Sequence, residues 1–270
     1  MTASPIDNGK RPDITIVKVG GAVVEDPESL DTLLEAFSRI NTPKILVHGG
    51  GRSATALARR LDIPVTMVDG RRVTDARMLG IAVMTYAGKV NKNIVAALQR
   101  RDIPAIGLCG ADADIIRSHR RPITPEGVDF GYVGDIDRVD GGTLMQLLQI
   151  PMTPVIAPIT HDHNGTLLNT NADTIASAVA TAIAHTGTEV TLTYAFEHPG
   201  VLADPDDDST TIPEITARSF ETLKADGTIS GGMIPKIQNA LNAISLGVKR
   251  VRITDTAGIA DTARGTTITQ

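Results

Sequence analysis

Apolar residues along this chain fall into short β-rich runs separated by stretches of helical spacing. The run ITIVKV (14–19) reads as a buried strand, PESLDTLLEAFSRI (27–40) as a helix, KILVH (44–48) as a second strand and SATALARRL (53–61) as a second helix. The alternation continues with a strand PVTMV (64–68), a long helix over 75–101 and a strand PAIGL (104–108). Strands joined by crossover helices build a mostly parallel sheet with helices on both faces. Such sheets bind ligands beyond their strand ends.

Residues 110–142 break this rhythm: Gly, Pro and Asp are frequent and the apolar runs are short, which predicts a small antiparallel excursion. The pattern resumes with a helix at 143–150, a strand PVIAPI (154–159), an Asn-Gly turn at 163–166, a helix over 172–185 and a strand EVTLTY (189–194). An acidic turn at 204–209, two helices (SFETLKADG and MIPKIQNALNAISLG) and a last strand RVRIT (250–254) complete it. The predicted fold is α/β, a three-layer αβα open sandwich with a mostly parallel central sheet. A fresh β-α-α-β unit begins near residue 188, so two lobes are expected, 14–187 and 188–270, after a flexible tail at 1–13.

Composition narrows the possibilities. The 270 residues are 41% hydrophobic and 21% charged, the balance of an ordinary globular protein. A net charge of -5 argues against a broad nucleic-acid or anionic-membrane footprint, so any anionic ligand must be met by local positive charge. Aromatic residues are 3% with no Trp, too few for a base-stacking surface. Residues 1–13 lack the apolar core of a signal peptide, no apolar run is long enough to span a membrane, and the lone Cys109 cannot close an intramolecular disulfide. A cytoplasmic protein is expected.

Three glycine clusters stand at element ends: Lys18-Val19-Gly20-Gly21, His48-Gly49-Gly50-Gly51 and Gly231-Gly232-Met233-Ile234-Pro235-Lys236. Each could be no more than a tight turn. The other reading is that it brings free N–H groups close to a phosphate, since glycine has no Cβ in the way and a helix start favours anions. Neither the P-loop nor the dinucleotide fingerprint is present. Two of the clusters carry a lysine, and a lysine within an apolar strand such as Lys18 is costly unless it is paired, its charge is used or it reaches solvent. Phosphoryl transfer needs positive charge on the equatorial oxygens and little covalent help.

Two polar segments complete the set. In Asn169-Thr170-Asn171-Ala172-Asp173, Asn171 or Asp173 can cap the following helix or belong to a polar cluster at the sheet end. In Arg71-Arg72-Val73-Thr74-Asp75, an arginine can clamp a carboxylate, or the pair can be solvated charges before a helix capped by Thr74 or Asp75. His161-Asp162-His163 reads as a solvated turn, not a metal site, and Asp206-Asp207-Asp208 as an exposed acidic loop; no protein-held metal is expected. Cys109 reads as a small buried residue.

In this order, K-x-G-G, H-G-G-G, G-x-R-V-T, N-x-N-A-D and G-G-M-x-x-K resemble the amino-acid kinase family, from about residue 14 to the closing Gly265-Thr266-Thr267-Ile268. The resemblance is narrowest to members that act on an N-acylated glutamate such as N-acetylglutamate. It implies ATP-dependent phosphorylation of the γ-carboxylate to an acyl phosphate, a step of arginine biosynthesis, with the amino-terminal lobe holding the acceptor and the carboxy-terminal lobe ATP. By matching motif, Lys18 and Lys236 would stabilise the transferring phosphoryl group and Asp173 would orient both. Gly20, Gly21, Gly50, Gly51 and Gly232 would present amides to phosphoryl oxygens and substrate, and Arg72 and Asn169 would grip the α-carboxylate and amide. Mg²⁺ would arrive on the ATP phosphates. A homodimer without arginine feedback is expected, because Pro5, Gly9 and Pro12 disfavour the amino-terminal helix of arginine-inhibited hexamers.

One segment departs from the pattern. Where relatives read Leu-Thr-Asp-Val-x-Gly-Val, this chain has Leu192-Thr193-Tyr194-Ala195-Phe196-Glu197-His198-Pro199-Gly200-Val201, and no role is assigned there. The insertion is similar to that of a branch acting on N-succinylglutamate, so acetyl and succinyl both stay open, as do a carrier-linked aminoadipate, carbamate or aspartate as acceptor. A non-catalytic sensor is the alternative of another class; the joint presence of Lys18, Asp173 and Lys236 argues against it.

Overall fold

The computed structural model describes residues 12–68 and 70–270; the expected tail therefore lies outside the described residues as far as Arg11. The strands of the first half are β1 (Ile14–Val19), β2 (Lys44–His48), β3 (Met67–Val68), β4 (Arg71–Arg72), β5 (Ala105–Leu108), β6 (Ile116–Arg120) and β7 (Gly134–Val139). Those of the second half are β8 (Thr153–Ile156), β9 (Ile159–His161), β10 (Leu167–Asn169), β11 (Val190–Phe196), β12 (Glu214–Ile215), β13 (Arg250–Asp255) and β14 (Thr266–Ile268). The helices are α1 (Gly21–Glu25), α2 (Pro27–Ser38), α3 (Gly51–Arg60), α4 (Ala76–Ala82), α5 (Asn91–Gln99), α6 (Gly141–Gln149), α7 (Ala172–Ala184), α8 (Ala217–Ala225) and α9 (Met233–Ser245).

Eight strands form one sheet in the order β12-β14-β13-β11-β1-β2-β8-β5, parallel throughout except for β13 against β14. The α/β sandwich expected from the alternation is present. The expected lobe boundary falls in the connection between α7 and β11, and the sheet runs unbroken across it through the pairing of β1 with β11.

Strand alternation divides the side chains of β1 between two cores. Ile14 and Ile16 pack with Ile175, Val179 and Ile183 of α7 on one face. Val17 and Val19 pack with Leu33 and Phe37 of α2 and Ile94 and Leu98 of α5 on the other. Each fully buried Ile or Leu contributes roughly 1.5–3 kcal/mol, which holds both helical layers to the sheet. Lys18 follows Ile16 by two residues and therefore belongs to the α7 face.

Several elements differ from expectation. The strand expected at 64–68 shrinks to β3, which pairs antiparallel with β4 in a two-stranded hairpin outside the main sheet, because Pro64 offers no N–H and Met67 is exposed. The long helix over 75–101 is α4 and α5 joined by a π-helical segment, Val83–Val90. The strand expected at 154–159 divides at Ala157-Pro158 into β8 of the main sheet and β9 of a second sheet. That second sheet, ordered β10-β9-β6-β7, contains the expected antiparallel excursion. No strand was expected at β14, which lies antiparallel to β13.

Candidate active site

The carboxyl ends of β1 and β2 open into a cavity of ≈ 260 Å³. Its floor is two interlocked glycine turns. Gly49 N–H donates to Val19 O at 3.0 Å, and a Cβ on Gly49 would stand 3.0 Å from the Gly21 nitrogen. A Cβ on Gly21 would meet Gly51 N at 3.3 Å and Gly50 N at 3.4 Å, so the two backbones approach as only glycines permit. Gly20, Gly21, Gly50 and Gly51 all line the cavity. Glu25, at the end of α1, accepts from Ser53 N–H at 2.6 Å and ties the end of α1 to the start of α3.

His48, fully buried, supports this floor from below. Its Nδ1 lies 2.7 Å from Gly49 O and its Nε2 3.1 Å from Asn91 Nδ2, which also donates to Val155 O at 2.9 Å. Burial pushes the imidazole down to about 4, so at neutral pH Nδ1–H donates to the carbonyl and Nε2 accepts from Asn91.

Asp173 stands in the first turn of α7, and Asn171 caps that helix, its side chain accepting from the N–H groups of Asp173 at 2.8 Å and Thr174 at 3.1 Å. The two readings of this segment are thereby divided between two residues. With the cap provided by Asn171, the Asp173 carboxylate turns to Lys18, whose Nζ lies 2.8 Å from Oδ1. The Lys18 side chain is 15% exposed and that of Asp173 is 45% exposed, so the pair sits at the mouth of the cavity rather than sealed in the core.

Lys236, in the first turns of α9, does not line the cavity, but its ammonium feels both members of that pair. Burial lowers its pKa most, Asp173 raises it, Lys18 lowers it and Glu197 raises it. Its Nζ lies 3.5 Å from the centroid of the Phe196 ring. Tyr194, opposite Lys18 on the neighbouring strand, is raised by burial and by the Asp173 charge. The two lysines and the aspartate thus form one electrostatic group. Gly232 begins α9 beside Lys236 and also lies outside the cavity lining.

Arg72 and Asn169 line the opposite wall. The Arg72 Nη2 donates to Gly51 O at 3.0 Å and Thr55 Oγ1 at 2.8 Å, which fixes the plane of the guanidinium. Asn169 Nδ2 donates to Thr74 Oγ1 at 3.0 Å, and Asn169 N–H to Tyr132 O at 2.9 Å. Thr74 in turn pairs with the 130–132 segment, where Gly131 at φ +69° leaves room that a Cβ, 2.3 Å from Thr74 O, would fill. Three remote segments are stitched into one wall.

Sequence reasoning missed several lining residues. Tyr86 projects from the π-helical segment; its ring lies 2.8 Å from where a Gly50 Cβ would be. Burial raises its pKa, and Arg72 opposes that rise. Periodicity could only place Tyr86 on the apolar stripe of a helix. Arg121 and Asp135 also line the cavity, paired through Arg121 Nε at 3.1 Å, and a β6–β7 hairpin rich in charge offered no sign of it.

A second cavity, ≈ 460 Å³, lies past the carboxyl end of β13, walled by Pro199, Asp208, Thr211 and Arg264. The acidic loop is exposed, as expected. The turn after β9 differs from a wholly solvated one: His161 Nε2 lies 2.8 Å from Asp114 Oδ1, and the exposed His163 has its Nδ1 3.9 Å from the same oxygen. Asp114 is the carboxylate of Arg117 and Arg138, which hold its pKa far below the usual range, so cations already satisfy the group. Cys109 is half-buried rather than buried, its thiol raised by burial.

The fold and this site define an amino-acid kinase: the model of the amino acid kinase family matches residues 13–255, and the chain belongs to that family. Among its relatives, acetylglutamate kinase of Bacteroides thetaiotaomicron is 51% identical over 251 residues, 93% of this chain and 96% of that protein. Among solved structures, N-acetylglutamate synthase of Neisseria gonorrhoeae complexed with coenzyme A and N-acetyl-glutamate superposes with a TM-score of 0.78 at 23% identity, over 95% of this chain and 59% of that one. Carbamate kinase of Giardia lamblia bound to AMP-PNP gives 0.68 at 12% identity, over 95% and 98%. At those identities the two structures share the fold.

Proposed function

We propose that this chain transfers the γ-phosphoryl group of ATP to the γ-carboxylate of N-acetylglutamate, forming an acyl phosphate and ADP in arginine biosynthesis. The observation that carries the reading is the Lys18–Asp173 pair at 2.8 Å, at the mouth of a glycine-floored cavity and within the electrostatic reach of Lys236. Half-identity to acetylglutamate kinases over nearly the whole chain supports the choice of acceptor.

The chemistry follows from the donors. A carboxylate oxygen of the acceptor attacks the γ-phosphorus, the bond to the β–γ bridging oxygen breaks, and that oxygen leaves on ADP. Negative charge builds on the equatorial and bridging oxygens, and fixed positive groups that meet it there lower the barrier. Lys18 and Lys236 would supply that charge, with Asp173 orienting them. Amides of Gly20, Gly21 and Gly232 would hold phosphoryl oxygens. Gly50, Gly51, Arg72 and Asn169 would hold the acceptor, Arg72 presenting its fork to the α-carboxylate. Ammonium and amide donors suit phosphate oxygens, and Asp173 is committed to Lys18, so Mg²⁺ would be carried by the nucleotide. The 14–187 lobe would hold the acceptor and the 188–270 lobe the nucleotide.

A second reading changes only the acyl group. Arg71 adds positive charge to the lining beyond Lys18 and Arg72, whereas Arg121 is matched there by Asp135, and an acyl group with its own carboxylate, as in N-succinylglutamate, would use the Arg71 charge. Hydroxylamine trapping of the acyl phosphate with ATP and N-acetyl-, N-succinyl- or free glutamate separates these. Turnover on an N-acylated glutamate but not on free glutamate is expected; turnover on none of the three would sink both readings and favour a sensor. We also infer a cytoplasmic homodimer, since no described helix is long and apolar enough to cross a membrane and Met84 and Leu61 are exposed apolar residues. Light scattering of a monomer at micromolar concentration would contradict it.

A further inference from the structure

The segment 194–199 interrupts the family pattern and holds a side chain with a definite geometric job. Lys18 and Tyr194 are directly paired residues of neighbouring parallel strands, so their side chains share a face of the sheet. Phe196 lies two residues beyond Tyr194 and shares that face, one step closer to the strand's carboxyl end. Its ring packs against the core shared by α7 and α9. Beyond it, the His198 ring lies 6.0 Å away at 53°, and His198 Nδ1 reaches Asp208 Oδ1 at 3.2 Å, which ties the segment to the acidic loop.

On this ring sits the ammonium of Lys236, 3.5 Å from the centroid. Among the described residues no carboxylate forms an ion pair with Lys236, in contrast to Lys18. The difference matters chemically. An aromatic face attracts a cation and fixes its position without adding a full opposing charge beside it. The long lysine stem loses rotamer freedom on the ring before any ligand arrives, so less remains to be ordered during reaction.

We propose that Phe196 is a positioning residue for phosphoryl transfer: its ring face parks the Lys236 ammonium on the Lys18–Asp173 side of the sheet. This rests on the role given to Lys236 above, and the test separates the two. F196L removes the face and keeps apolar bulk; F196Y keeps the face. With ATP and the N-acylated glutamate that the wild-type protein turns over, F196L lowers kcat about 3- to 30-fold and leaves the acceptor KM within about two-fold, while F196Y stays within about two-fold in both. In protein labelled with ¹³C-lysine and free of ligand, the Lys236 ε-methylene protons lie upfield from the ring current in wild type and F196Y and return downfield in F196L. If F196L does not fold, F196M carries the same comparison. An F196L kcat equal to wild type, an acceptor KM that rises as much as kcat falls, or a Lys236 shift indifferent to the ring overturns the proposal. Absence of acyl phosphate from the wild-type protein overturns the kinase reading instead, and the ring-current comparison still decides whether Phe196 holds Lys236.

Discussion

Lys18 and Asp173 meet at 2.8 Å because residue 18 falls on the α7 face of β1 and because Asn171, not Asp173, caps α7. An aspartate in the first turn of a helix would ordinarily serve the helix; here a neighbour has relieved it of that duty. We expect D173N to lower kcat on the order of 10²-fold with little change in acceptor KM, as for removal of a group that acts mainly in the transition state. K18A should lose at least as much. Single-turnover rates with ATP in excess check this, and a D173N rate equal to wild type would leave the pair a surface ornament.

The Arg72 guanidinium is held by Gly51 O and Thr55 Oγ1. T55V removes one of those supports with little change of shape, so the acceptor KM should rise roughly 10-fold while kcat holds. R72K keeps the charge and loses the planar fork, and should cost more in KM than T55V. Initial-rate kinetics at saturating ATP decide it; a kcat defect in T55V with unchanged KM contradicts the assignment.

The glycines of the cavity floor differ in what a methyl group would meet. At Gly50 it would stand 2.8 Å from the Tyr86 ring, so G50A should destabilise the fold by about 1–3 kcal/mol and weaken acceptor binding. At Gly20 it would meet nothing within 4 Å, so G20A should leave stability within about 0.5 kcal/mol of wild type yet lower kcat if phosphoryl oxygens approach that amide. Urea denaturation and turnover measured on the same samples separate the two effects; equal loss of stability in both variants would refute the distinction.

His48 makes stability depend on pH. Its folded pKa of about 4 lies below the ordinary value of 6.5, so between those values the unfolded chain binds more protons than the folded one. The contribution is fully present above pH 6.5 and is lost as pH falls towards 4, reaching about 3 kcal/mol. H48Q, which cannot titrate, should be less stable at pH 7.5 but show a shallower fall from pH 7 to 5 in urea midpoint. Parallel slopes for the two proteins would mean that His48 titrates normally.

Much of the architecture was legible in the order of residues, because periods of 2 and 3.6 and Gly, Pro and Asn punctuation are local properties. β1, β2, β5, α2, α7 and the β6–β7 excursion all follow from such signals, and the ordered motifs pointed to Lys18, Asp173, Arg72 and Asn169 before any contact was known. The break at Ala157-Pro158 and the strand β14 were not legible: each depends on which neighbour offers free backbone groups, and that is settled by sheet order.

Side-chain partnerships belong to the tertiary structure for the same reason. Strand parity placed Lys18 on the α7 face, but only the order β11-β1-β2 brought α7 over it and set Phe196 beneath Lys236. Tyr86 lay on the apolar stripe of a long helix, and only the π-helical turn and the close passage of Gly50 made it part of the wall. Residue types and their local spacing are written along the chain; the distance between a lysine and the group that aims it is decided by contacts remote in sequence, whose geometry no local period contains.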